Sequence, residues 1–204
     1  IGAARPSISD PYLPRKIEEG RVEDVRECIG CNICIARGEW GRQLICTQNP
    51  TAGEEYSRGW HPERFTEAAN AAKSVLIVGA GPAGLECATV LGKRGMHAVH
   101  LVDAAREIGG SVAQAAKLPG LSEWRRLIDW RLVQIEKLRN VALVPKKRLD
   151  GAAIRDYGAD IVILAPGSQW RGDGVNCVTH APIPGADAAL PHVLAARVSG
   201  VRGW

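Results

Sequence analysis

Four cysteines carry a spacing with chemical meaning. Cys28, Cys31 and Cys34 follow a C-x2-C-x2-C pattern, and Cys46 follows after eleven intervening residues. Three thiolates that close in sequence can face three corners of one cubane iron–sulfur cluster, and a fourth closes the site. The run Glu27-Cys28-Ile29-Gly30-Cys31-Asn32-Ile33-Cys34 has small and apolar fillers, suited to a loop wrapped round a buried metal site. Two other readings stand beside a [4Fe–4S] cluster. Structural zinc also takes four thiolates, although zinc sites usually pair their cysteines two and two. A disulfide framework is the third reading, but a chain of 204 residues with six cysteines is long and poor in Cys for a stapled mini-domain. Cys87 and Cys177 stand alone and read as small buried hydrophobes.

A second motif begins at Ser74. The apolar run Val75-Leu76-Ile77-Val78 predicts a buried parallel strand, followed by Gly79-Ala80-Gly81-Pro82-Ala83-Gly84 and a helical pattern through Arg94 that Gly95 stops. A lone G-x-G-x-x-G says little. Here it has a strand before it, a helix after it, and Asp103 nineteen positions past Gly84. Gly79 permits the tight turn, Gly81 lets backbone approach a pyrophosphate, and Gly84 lets helix and strand pack closely. The helix N-terminus offers free N–H groups to phosphates, and Pro82 fits an early helical position. Asp103 can accept hydrogen bonds from ribose hydroxyls, which points to an adenine nucleotide such as ADP or FAD without a 2′-phosphate. The other reading is a glycine turn of purely structural use. Gly109-Gly110 is either a second close approach to the nucleotide or an ordinary loop.

These residues need elements to position them. Val99 to Val102, Val141 to Val144 and Asp160 to Ala165 read as further strands, the last as another buried one. Residues 122–139 read as an amphipathic helix, with Trp124, Leu127, Ile128, Leu132, Ile135 and Leu138 on one face. Strands alternating with helices predict an α/β fold with a parallel, doubly wound, Rossmann-like sheet. Ala165-Pro166-Gly167 falls at the carboxyl edge of that sheet, where ligands sit. Three stretches follow: residues 1–20, with a strand end and turn at Ile1 to Pro6 and a short helix from Pro14 to Glu19; residues 21–72, irregular and organised by a metal in place of a core; and residues 73–204, the nucleotide-binding domain, incomplete.

Composition excludes several classes. Hydrophobic residues make 46% of the chain and charged ones 24%, which predicts a packed core. The formal charge of +4 is small and its basic residues are scattered, with no stripe arguing for nucleic acid. No apolar run reaches a membrane span. The chain starts at Ile1 and reads as part of something longer. Free thiols and a cluster point to a reducing cytoplasm.

The cysteine segment, with Cys46-Thr47-Gln48-Asn49-Pro50-Thr51-Ala52-Gly53-Glu54-Glu55 and Arg58-Gly59-Trp60-His61-Pro62-Glu63, resembles the trimethylamine, dimethylamine and histamine dehydrogenase family. Val75 to Gly84, Ile108-Gly109-Gly110, Leu118-Pro119-Gly120-Leu121 and Pro182-Ile183-Pro184-Gly185-Ala186-Asp187 continue the likeness to about residue 191; the tail Ala195 to Trp204 leaves it. The resemblance implies an enzyme of three parts. A (β/α)8 barrel, of which residues 1–20 are the last strand and helix, holds FMN and oxidises a small amine. Electrons then pass singly through the [4Fe–4S] cluster to an electron-transferring flavoprotein, and the domain with the glycine motif holds ADP, or FAD in reductase cousins. It implies further that Arg5 helps hold the FMN phosphate, a task suited to a bidentate guanidinium, and that the whole protein is a homo-oligomer. Because flavin attachment and acid–base groups belong to the barrel, this stretch alone is expected not to oxidise amines.

Two departures stand out. Where trimethylamine dehydrogenase has an aromatic residue that cages its cationic substrate, this chain reads Arg37-Gly38-Glu39, so Glu39 or Trp40 reshapes the pocket. A tyrosine near the partner-docking site is Arg126 here. The rival enzyme is an NAD(P)H-dependent enoate or dienoyl-CoA reductase. Those relatives tend to carry one more residue between the second and third cysteines than Asn32-Ile33. A non-catalytic electron-transfer or zinc module is the reading from another class.

Overall fold

The structure, a computed structural model, describes residues 3–168, 175 and 179–182. Cys177, the stretch Ile183 to Asp187 and the tail 195–204 lie outside the described residues. Four strands form one parallel sheet: β1 (Ser74–Val78), β2 (Ala98–Val102), β3 (Val141–Val144) and β4 (Ile161–Leu164), in the order β3-β2-β1-β4. Val75 pairs with Val99 on one side and Ile161 on the other, and Val99 with Val141. The chain runs outward from β1 to β3 and then returns to β1's other side. The strand order therefore reverses beside the carboxyl end of β1, where ligands enter sheets of this kind.

Apart from Ser74 and His100 the central strands are apolar, because helices and loops cover both faces. Leu76, Ile77, Val99 and Leu101 are fully buried, with Leu85, Ala88, Met96 and Ile128 packed in the same core. β4 departs from the expectation of another buried strand. Ile161 and Ile163 face the core, while Val162 is 41% and Leu164 65% exposed. It has one described neighbour and one covered face, and an apolar run alone cannot tell that arrangement from full burial.

The helices in chain order are α1 (Ala4–Ser9), α2 (Leu13–Glu18), α3 (Ile33–Glu39), α4 (Glu55–Arg58), α5 (Pro82–Lys93), α6 (Gly110–Ala115), α7 (Arg126–Glu136) and α8 (Gly151–Asp156), with 3-10 turns at Val22–Asp24 and Ser122–Arg125. The helix expected over 122–139 is thus a 3-10 turn followed by α7. Where a strand end and turn were expected at Ile1 to Pro6, the described part is helical from Ala4. Pro6 falls in the first turn of α1, where a missing N–H costs nothing, and Ser7 and Ser9 donate to the carbonyls of Ala3 and Pro6.

Residues 21–72, expected to lack a core, are anchored in the main one. Ile29, between the first two cysteines, is 6% exposed and belongs to the main core, with Cys31 packed against it. The first segment is tied on by polar contacts. Asp10, almost fully buried, accepts hydrogen bonds from Arg26 N at 2.8 Å and Lys16 Nζ at 2.6 Å, and Lys16 also pairs with Glu63 at 2.6 Å. Tyr12 stacks on His61 and meets its Nε2 at 2.7 Å.

Candidate functional site

The cysteine loop owes its course to two residues with positive φ. Gly30 (φ 69°) and Asn32 (φ 57°) turn the chain between the thiols. Asn and Gly tolerate this left-handed region best. Asn32 then occupies the N-cap position of α3, whose first turn carries Cys34, without a side-chain capping bond. Arg5 donates to Asn32 Oδ1 and so joins α1 to the loop. Cys28, Cys31, Cys34 and Cys46 all line one small cavity, with Arg5 and Gln48 also on its wall. The four thiols and Cys87 are free and partly buried. That disposes of a disulfide framework among the described residues.

Two main-chain N–H groups point at sulfurs, and a hydroxyl lies within hydrogen-bond distance of a third. Gly30 N lies 3.4 Å from Cys28 Sγ, Gln48 N 3.4 Å from Cys46 Sγ, and Thr47 Oγ1 3.2 Å from Cys31 Sγ. Burial pushes the Cys46 thiol up, and negative charge at Cys31 and Cys28 pushes the same way, against the N–H groups of Asn49 and Gln48. Cys46 therefore lies within electrostatic reach of Cys31 and Cys28. Among the described residues no three His, Cys, Asp or Glu side chains converge as the ligands of a single ion would. All four thiols nevertheless line the same cavity.

The glycine loop is built as its spacing predicts. Gly79 has φ 108°, and a Cβ there would sit 2.1 Å from Ala165 O, at the end of β4. A Cβ on Gly84 would sit 1.8 Å from Gly79 O. Gly81, the N-cap of α5, meets nothing within 4 Å, and no side chain caps the helix. Its first N–H groups are therefore available to a ligand. Asp103 stands at the end of β2, with Oδ2 accepting from Ala80 N at 2.6 Å and Oδ1 from Ala105 N at 2.7 Å. It braces the glycine loop while keeping lone pairs for a ribose. Gly109 and Gly110 have a packing reason of their own: a Cβ on Gly109 would meet Ile128 Cδ1 at 2.2 Å, and one on Gly110 would meet Gly81 Cα at 3.2 Å. They seat α6 against the loop.

Between the two sites lies a buried ionic junction that spacing did not flag. Arg26 stacks over Trp130 at 4.1 Å, and Trp130 Nε1 donates to Asp24 O. Burial works against the charged form of Asp24, but hydrogen bonds from Lys137 and Gln134 outweigh it and hold the carboxyl down at about 2. Burial, with Arg26 nearby, brings Lys93 down to about 8. Arg131, buried beside Trp130 and paired with Glu86 at 2.7 Å, belongs to the same junction, and it left one local signal: it follows Leu127 and precedes Ile135 by four residues each, on the apolar stripe of α7. Beside the junction a cleft of about 510 Å³ is lined by Arg58, Trp60, Arg64, Phe65 and Arg94, among others.

A parallel sheet flanked by helices, with a braced glycine loop between β1 and α5, is a Rossmann-like arrangement. The chain belongs to the pyridine nucleotide-disulphide oxidoreductase family, whose model matches residues 17–118. Among known proteins it is 58% identical over 201 residues to dimethylamine dehydrogenase of Hyphomicrobium sp. (strain x), covering 95% of this chain and 27% of that protein. Its fold matches 6-hydroxypseudooxynicotine amine oxidase from Pseudomonas geniculata N1 with a TM-score of 0.85 at 48% identity, over 92% of this chain and 28% of that one. It matches histamine dehydrogenase from Rhizobium sp. 4-9 with a TM-score of 0.85 at 49% identity, over 90% and 26%. The resemblance to the amine dehydrogenases holds along nearly the whole chain. The chain spans about a quarter of the length of these relatives. Among the described residues no helix is long and apolar enough to cross a membrane.

Proposed function

We propose that this chain is the electron-relay and nucleotide-holding part of an iron–sulfur flavoprotein that oxidises an amine. The observation that carries the reading is the convergence of Cys28, Cys31, Cys34 and Cys46 on one cavity. In their thiolate forms these residues would hold a [4Fe–4S] cluster, which supplies one-electron transfer when bound. The chain's own residues wrap the cluster, direct the N–H groups of Gly30 and Gln48 at two sulfurs, and limit water through Ile29 and the core behind it.

Gly81 and the N-terminus of α5 would hold the pyrophosphate of ADP or FAD, with Asp103 toward the ribose. The amine substrate and FMN belong to a barrel outside this chain, to which Arg5 would contribute from α1. An electron-transferring flavoprotein would collect the electrons. Arg126 pairs with Glu27, next to Cys28, at 3.2 Å, and so stands beside the proposed exit. The setting is a homo-oligomer in the cytoplasm. The reductase reading shares the glycine loop but sits less well with the two-residue gap of Asn32-Ile33.

The test is metal and sulfide analysis with EPR of the reduced full-length protein. About four irons and four acid-labile sulfides per chain, with a reduced-cluster signal, are expected. Zinc without sulfide, or no metal, overturns the reading.

A further inference from the structure

Arg131 is 3% exposed, in the middle of α7, and all three of its guanidinium nitrogens donate hydrogen bonds. Nε donates to Glu86 Oε2, on α5, at 2.7 Å. Nη1 donates to Gln48 Oε1 at 3.1 Å and to Leu127 O at 2.8 Å, and Nη2 to Gln48 O at 3.3 Å. Gln48 is 1% exposed. Its Nε2 donates to Glu27 O at 2.8 Å, just before Cys28, and its main-chain N–H faces Cys46 Sγ at 3.4 Å. One arginine, from a helix more than eighty residues along the chain, therefore fixes the residue that points a donor at the fourth thiol. Through Gln48 it also fixes the backbone entering the first.

The same side of the site carries a second buried cation. Arg26 is 5% exposed, has no carboxylate partner within ion-pair distance among the described residues, and makes one long hydrogen bond, to Asn49 Oδ1 at 3.4 Å. Buried cations need counter-charge, and a thiolate-bound site offers it.

We propose that Arg131 is a positioning residue for the thiolate site: by clamping Gln48 it keeps the Gln48 N–H on Cys46 Sγ and thereby raises the one-electron reduction potential. The inference rests on the [4Fe–4S] reading of the four cysteines. Reduction adds one negative charge shared with the thiolates. A donor dipole fixed on sulfur and a buried cation behind it stabilise the more negative state. Because Glu86 lies in the helix that opens at the glycine loop, the clamp also locks the cluster segment to the nucleotide side.

The experiment compares wild type with Arg131→Met and Arg131→Lys in the full-length protein, purified without oxygen. Iron and sulfide are counted, and the potential is read by EPR-monitored titration. In Arg131→Met the reduced-to-oxidised ratio at a fixed ambient potential should fall about tenfold, equivalent to about 59 mV for one electron. Arg131→Lys keeps the charge but loses the fork, and should shift the same way by a smaller step. Variants that carry the full cluster and titrate with the wild type overturn the proposal. If Arg131→Met fails to fold, Arg131→Lys decides by the same criterion. Wild-type protein without iron and sulfide sinks the cluster reading itself, a different result from an intact cluster with an unmoved potential.

Discussion

Gly84 and Gly81 belong to one motif, yet the structure gives them opposite reasons for lacking a side chain, and a pair of alanine substitutions separates them. At Gly84 a Cβ would lie 1.8 Å from the carbonyl oxygen of Gly79 and 3.3 Å from Leu101 Cδ1. Ordinary heavy-atom contact is about 3.5 Å, so α5 would have to lift from β1 by more than about 1 Å. Alanine gains about 1 kcal/mol of helix propensity over glycine. Forced overpacking against backbone costs about 1–3 kcal/mol, and more where nothing flexible can yield. The obstacle at Gly84 is backbone, so the upper end of about 3 kcal/mol applies, and Gly84→Ala is expected to lose about 2 kcal/mol net. At Gly81 nothing stands within 4 Å and φ is −76°, a conformation that alanine adopts freely. The poorer alanine cap and the stiffer unfolded chain nearly cancel, leaving stability within about 1 kcal/mol of wild type. Its methyl would occupy the space a pyrophosphate needs, so ADP affinity should fall at least about tenfold, or about 1.4 kcal/mol. Urea unfolding and calorimetric titration with ADP measure both. An undiminished stability in Gly84→Ala would refute the close-packing argument, and unchanged ADP affinity in Gly81→Ala would refute the phosphate role.

Cys46→Ser should remove most iron and acid-labile sulfide, whereas Cys87→Ser, outside the cavity, should leave both; colorimetric assay of the two variants checks this. Asp24 has a folded-state pKa near 2 against an ordinary 3.8, so its contribution is present above about pH 3.8 and lost as pH falls toward 2. That is about 2 kcal/mol, and unfolding measured across this range should lose its slope in Asp24→Asn. Lys93 titrates near 8 when folded and near 10.5 otherwise. Between those values the unfolded chain holds the extra proton, so stability should climb with pH by about 3 kcal/mol, and Lys93→Met should show no such rise. A flat wild-type profile from pH 8 to 10.5 would count against burial of that ammonium beside Trp130 and Phe65.

Much of the nucleotide side was legible because its signals are local. β1, the glycine turn and α5 are adjacent in sequence, and each glycine's role follows from backbone geometry within a few residues. β4 was read as a strand correctly but not its exposed face, since Val162 and Leu164 look like core residues until their neighbours are known. The start of the chain was misread for a similar reason: a short apolar run with a proline fits a strand end or a first helical turn, and serine-to-carbonyl bonds decided for α1. The junction round Asp24, Arg26 and Arg131 stayed hidden because its partners are 23 to 110 residues apart.

The sequence by itself determined which atoms can do chemistry: four thiols at a spacing that admits an iron cluster, and a glycine loop at a strand–helix turn. Those follow from bond lengths and dihedral limits that act over a few residues. Only the tertiary structure decided what stands behind the thiols. A charged side chain is driven out of water only when distant parts of the chain supply its counter-charges and acceptors. Arg131 has those from Glu86 and Gln48 at once, and no local pattern in the sequence could assemble them.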